Sequence, residues 1–153
     1  MDEAGAKTVA TTVGALYHSL HESIREQIRG LDHGTLNWKP LPLANSIAVL
    51  IVHTLAGERD ALSAVRMVTN ERDREAEFKA EAEEADLLAL LDQADREVKD
   101  LVGAMTAADL TEMRPRANRP PKPGLEWLLS NYGHSREHFA QIELTKQLYD
   151  SRT

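Results

Sequence analysis

The 153-residue chain has no cysteine, which excludes disulfides, thiolate metal ligands and a cysteine nucleophile. Any thiol chemistry must therefore take its sulfur from a second molecule. Aromatic residues are few, with two Phe, three Tyr and two Trp, so a core has to be built from aliphatic side chains. No apolar run approaches the ~20 residues that span a bilayer, and the first residues lack a charged-then-apolar signal pattern. The expectation is a soluble cytoplasmic protein without a membrane partner. Period-two alternation is also missing, which argues against an α/β fold. Excess positive charge is missing too: the formal net charge is −7, and Glu71 to Asp100 carries twelve acidic against five basic residues. That balance disfavours nucleic acid as a partner.

What is present is apolar periodicity at three- and four-residue spacing. Val13, Leu16, Tyr17, Leu20, Ile24 and Ile28 mark a first helix over Thr8 to Gly30. Ile47, Leu50, Ile51, Ala61, Val65 and Val68 mark a second over Ile47 to Val68, with Asn45 or Ser46 as its cap. The third, Ala85 to Met105, carries Leu87, Leu91, Ala94, Val98, Leu101, Val102 and Met105. The fourth, Leu125 to Tyr149, carries Trp127, Leu128, Tyr132, Phe139, Ile142 and Tyr149. Four amphipathic helices bury their stripes most simply against one another, so the predicted architecture is an all-α four-helix bundle forming one domain over residues 1–153. Between the helices lie a proline-constrained stretch at Asn37 to Pro42, a charged segment at Asn70 to Glu83 with no core of its own, and Arg114 to Pro123, whose four prolines predict a loop.

Two histidines, His134 and His138, stand four residues apart, so their imidazoles project from successive turns of one helix face. On a wheel they fall about 20° either side of Trp127, bordering the core. From spacing alone, a packed pair and a shared metal ion both fit. His53 sits about 60° from Leu50 on the second helix and can also look into the bundle, where it would complete a set of three imidazoles with open positions for water or substrate.

Three segments extend this pattern: Leu36 to Pro42 (LNWKPLP), Asn45 to Glu58 (NSIAVLIVHTLAGE) and His134 to Leu148 (HSREHFAQIELTKQL). In order and spacing they resemble the DinB-like (YfiT-like) superfamily of metalloenzymes, over Leu16 to Tyr149. The resemblance implies an up-down-down-up bundle and a nickel or zinc ion on His53, His134 and His138. It also implies a small-molecule substrate, a frequent homodimer, and a thiol-dependent S-transferase that uses a low-molecular-weight thiol as cosubstrate. Other activities open to such a protein are a metal-dependent hydrolase that activates water, a non-catalytic metal-binding stress protein, and a metal-free helical scaffold.

The remaining candidates have a bland and a functional reading each. Glu58 is expected to be partly buried; a bond to a neighbouring helix is favoured over a place beside the metal ligands. Gln141, three residues after His138, can bond a metal-bound water or a ligand imidazole, or simply pack. His18 and His21 are expected to face solvent, and His33 to sit in a turn without a role. Arg114, Arg116, Arg119 and Lys122 form an acid-free basic loop, read as solvated, although its guanidiniums could hold a carboxylate-bearing substrate or thiol. Trp38 and Trp127 are read as core anchors.

Overall fold

Capping sets where each helix begins in the computed structural model, which describes residues 1–117 and 119–152. Asp2 accepts a hydrogen bond from the Gly5 N–H at 2.8 Å, so the first helix starts earlier than its apolar stripe suggests: α1 spans Glu3–Ile28. Ser46 caps α3 (Ile47–Arg66) through the Val49 N–H, and the helix ends where Met67 turns left-handed at φ 54°. Reciprocal bonds between Glu83 and Asp86 start α5 (Glu84–Gly103). The longest helix, α7, is Gly124–Asp150. Three short helices occupy the connections: α2 (His33–Asn37), α4 (Arg74–Glu77) and α6 (Ala107–Thr111).

The four long helices pack into a bundle around two clusters. One gathers Leu20, Ile24 and Ile28 of α1 with Ile47, Leu50 and Ile51 of α3, Leu87 and Leu91 of α5, and Phe139 and Ile142 of α7. The other gathers Ala10, Val13 and Tyr17 of α1 with Leu62 and Val65 of α3, Val98 and Val102 of α5, and Trp127 and Leu128 of α7. The late part of α1 and α7 thus meets the early part of α3 and α5, so the first and last long helices run one way and the middle two the other. Each fully buried Leu or Ile here contributes about 1.5–3 kcal/mol by leaving water. Among the described residues, no helix is long and apolar enough to cross a membrane.

One expectation needs correction. Two segments pair as an antiparallel hairpin, β1 (Met113–Arg116) and β2 (Arg119–Pro123), with Met113 opposite Pro123 and Arg114 opposite Lys122. In a two-stranded ribbon both strands are edges, so prolines lacking an N–H can face outward without breaking a ladder. The hairpin gives no period-two signal because Arg116 is its one buried side chain among the described residues.

The hairpin delivers the chain into α7 at a very close approach. A Cβ added to Gly124 would lie 1.9 Å from the Asp109 carbonyl oxygen and 3.1 Å from Val65. Gly124→Ala is therefore expected to lower unfolding stability by about 1–3 kcal/mol through overpacking, which a denaturant titration reads directly. An unchanged midpoint would show that α6 yields without cost.

Candidate metal centre

His53 comes from the second turn of α3, and His134 and His138 from one face of α7. The structure brings the three together: their nitrogens lie within 4.8 Å of one another. The His134 and His138 rings are 4.2 Å apart, and His53 stands 5.1 Å from His138 and 6.4 Å from His134. His53 and His138 are each only 8% exposed, whereas His134 opens to solvent.

Each imidazole is anchored through Nδ1. His53 Nδ1 lies 2.7 Å from Glu77 Oε2, His138 Nδ1 3.1 Å from Gln141 Oε1, and His134 Nδ1 3.2 Å from Glu137 Oε2. Carboxylate and amide oxygens accept, so Nδ1 carries the proton in each ring and the Nε2 lone pair is left exposed. The Nε2 atoms of His134 and His138 then face each other at 3.0 Å. Two lone pairs at that distance repel unless a proton or a metal ion sits between them. A spacing of 3.0 Å suits two nitrogens bound to one ion at ~2.0–2.1 Å.

Burial pushes the His53 pKa below the usual histidine range, helped by His138 and Arg72, and Glu77 does not reverse it. Burial also lowers His138, with His134 adding to the effect against Gln141. Neutral imidazole is the form a metal requires. Glu77 itself stays ionised: burial would raise its pKa, but the hydrogen bonds from Arg72 and His53 hold it below the usual carboxylate range. Arg72 grips Glu77 with two bonds, Nε to Oε1 at 2.6 Å and Nη2 to Oε2 at 2.9 Å.

Glu77 and Arg72 were not singled out in the sequence. They sit in the charged segment expected to lack a core, yet Glu77 is 5% exposed and Phe78 packs its ring 4.8 Å from that of His53. The signal available was Phe78, an isolated aromatic in an acidic run. Gln141 lies against His138 through its Oε1. Glu58 does not contact the three histidines; its Oε2 meets His21 Nε2 of α1 at 2.7 Å.

His21 is a second correction, being fully buried instead of exposed. Its Nδ1 bonds Asp95 of α5 at 2.7 Å, so one imidazole ties three helices together. His18 is exposed, as expected, and His33 begins α2 at the surface, paired with Glu83. His18, Glu22 and Asp95 form another group with ligand spacing. Arg25 already pairs with both of those carboxylates, and Asp95 also bonds His21, so this donor set is neutralised without an ion.

A cleft of about 420 Å³ opens beside His53 and His134, with Trp127 and Asn131 also in its lining. Here the solvated-loop expectation is corrected. Arg116 is 8% exposed, bonded to Asp60 at 2.7 Å and to the Gly57 carbonyl at 3.2 Å, and with Arg119 it lines the cleft. Arg114 and Lys122 point elsewhere, to Asp109 and Glu126 respectively. Trp127 is an anchor, 2% exposed, while Trp38 is half-buried against Tyr149.

No curated protein matches the sequence. Solved structures share the fold. A conserved protein from Enterococcus faecalis superposes with a TM-score of 0.76 at 18% identity, covering 93% of this chain and 97% of that one. A DinB-like protein from Bacillus cereus gives 0.70 at 17%, covering 86% of each chain. A DinB-like protein from Bacillus subtilis gives 0.71 at 14%, covering 93% and 94%. The family model of the DinB superfamily matches residues 16–142, most of the chain. The protein belongs to the DinB superfamily.

Proposed function

We propose that Nε2 of His53, His134 and His138 hold one divalent transition metal, nickel or zinc, and that the site catalyses transfer of a low-molecular-weight thiol to an electrophilic substrate. The observation that carries the metal is the convergence of the three imidazole nitrogens within 4.8 Å, with Nε2 of His134 and His138 facing each other at 3.0 Å. Such an ion supplies Lewis acidity, lowering the pKa of a coordinated thiol and polarising an electrophile. The chain's own groups do the rest. Glu77, Glu137 and Gln141 fix ring orientation through Nδ1, Arg72 holds Glu77 in place, and Phe78 shields His53 from water. The absence of cysteine leaves the thiol to a cosubstrate. The adjoining cleft supports turnover over storage, since three ligands beside open space leave coordination positions within reach of a small molecule.

Protein purified without a histidine tag, loaded with zinc or nickel and offered a panel of thiols with a chromogenic aryl halide, is expected to turn over, and to stop when a chelator strips the ion. Metal uptake with no turnover across a broad panel would remove the transferase reading and leave the metal site. Glu77→Gln keeps an acceptor for His53 Nδ1 but loses the charge that Arg72 grips. It is expected to weaken metal affinity about 10–100-fold, read by competition against a chelating dye. Equal affinity would show that Glu77 serves only the fold.

A further inference from the structure

The cleft beside the histidines has a charge that runs against the rest of the chain. Four guanidiniums gather there: Arg72 and Arg74 from the α3–α5 connection, Arg116 and Arg119 from the hairpin. Their carboxylate neighbours are Asp60, Glu77 and Glu137, on a protein whose net charge is −7. The four are not equivalent. Arg72 is committed to Glu77, and Arg116 to Asp60 and the Gly57 carbonyl. Arg74 and Arg119 form no ion pair or side-chain hydrogen bond among the described residues, yet both line the cleft. Two separate segments thus each contribute one committed and one uncommitted arginine to the same space.

We propose that this cleft binds a small organic anion through Arg74 and Arg119, so that the substrate or cosubstrate carries a carboxylate or phosphate group. A forked guanidinium matches either group with two parallel bonds. Asp60 keeps Arg116 and Arg72 at the cleft wall, Arg72 at 3.7 Å, so the ligand meets a prepositioned positive field and has two side chains left to order. The buried Trp127 ring, 5.4 Å from the Arg116 guanidinium, steadies that arginine at the cleft wall. His53 and His134 line the same space, and in taking them as the reacting part the inference rests on the function proposed above. The volume of about 420 Å³ fits a ligand of metabolite size.

Calorimetric titration of the full chain, metal-loaded and metal-free, tests this with succinate, phenyl phosphate and neutral succinamide as probes. Binding of at least one anion to both forms is expected, weakening with added salt, with succinamide inert. Tighter binding of succinate assigns a carboxylate, and tighter binding of phenyl phosphate a phosphate. Arg74→Ala and Arg119→Ala should each weaken binding about tenfold or more, whereas Arg96→Ala on the outer face of α5 should leave it unchanged. Circular dichroism confirms that each variant keeps its helices. Anion binding that needs the ion and ignores both arginines, or no anion binding at all, overturns the inference while a loaded metal site survives. Arginine-dependent binding to a chain that takes up no metal leaves the anion cleft standing and removes the metal reading instead.

Discussion

Replacing His21 by alanine is expected to destabilise the protein by about 3–5 kcal/mol, the cost of leaving buried charge without its partner. His21 is completely buried between Glu58, itself 1% exposed, and Asp95, at 2.7 Å from each. Glu58 Oε1 already has no hydrogen-bond partner, so losing His21 would strand the whole carboxylate inside the bundle. Substituting His21→Leu together with Glu58→Leu should recover most of the loss, because Asp95 keeps Arg25 and His18. Chemical denaturation of the two variants checks both statements. A single variant as stable as the double would show that the carboxylate finds water.

The same imidazole sets a pH dependence. Burial alone would lower the His21 pKa, but hydrogen bonds and charge from Glu58 and Asp95 outweigh it, and the folded-state value is raised above 6.5. Its stabilisation is therefore fully present below 6.5 and is lost as pH rises through the folded value. Asp95 behaves oppositely: burial would raise it, but its bonds to His21, His18 and Arg25 hold it below 3.8, so its contribution is present above 3.8 and lost as pH falls through the lowered value. His53 and His138, with lowered pKa values, act on the other side of 6.5: their contribution is fully present above 6.5 and is lost as pH falls through the folded values. The difference in stability between wild type and the double variant isolates the His21 contribution, and that difference should shrink towards alkaline pH.

His138→Ala is expected to weaken metal binding by more than about 100-fold, beyond the range for losing an outer hydrogen bond. The alanine removes one of the two facing Nε2 atoms and leaves His134, exposed and held by Glu137 alone, with His53 as its sole companion. Helix α7 should persist, since Trp127, Leu128, Phe139 and Ile142 carry its burial. Dialysis against metal followed by elemental analysis measures the loss, and a variant that retains the ion would place the binding elsewhere.

The bundle was legible in the sequence because each long helix announces its buried stripe locally. Leu87, Leu91, Ala94, Val98 and Val102 are all buried, as their spacing requires. His134 and His138 were legible for the same reason, since both lie on one helix. What escaped was assembled across elements. Glu77 and Phe78 reach His53 from a connecting segment whose composition reads as solvated. His21 borders the apolar stripe of α1, and its burial is made tolerable by carboxylates on two other helices. The arginine cleft joins a linker to a hairpin forty residues away, and the hairpin carries no alternation because it packs through Arg116, not through an apolar face. Charged residues buried by tertiary partners leave no periodic trace.

Crystals of the untagged protein grown with zinc or nickel, measured on both sides of the metal's absorption edge, put the metal site to the most direct test. The account predicts one anomalous peak per chain, bonded by Nε2 of His53, His134 and His138, with each Nδ1 still on its oxygen partner. A loaded crystal with no peak at the three histidines, or with its peak at His18, Glu22 and Asp95, would contradict it.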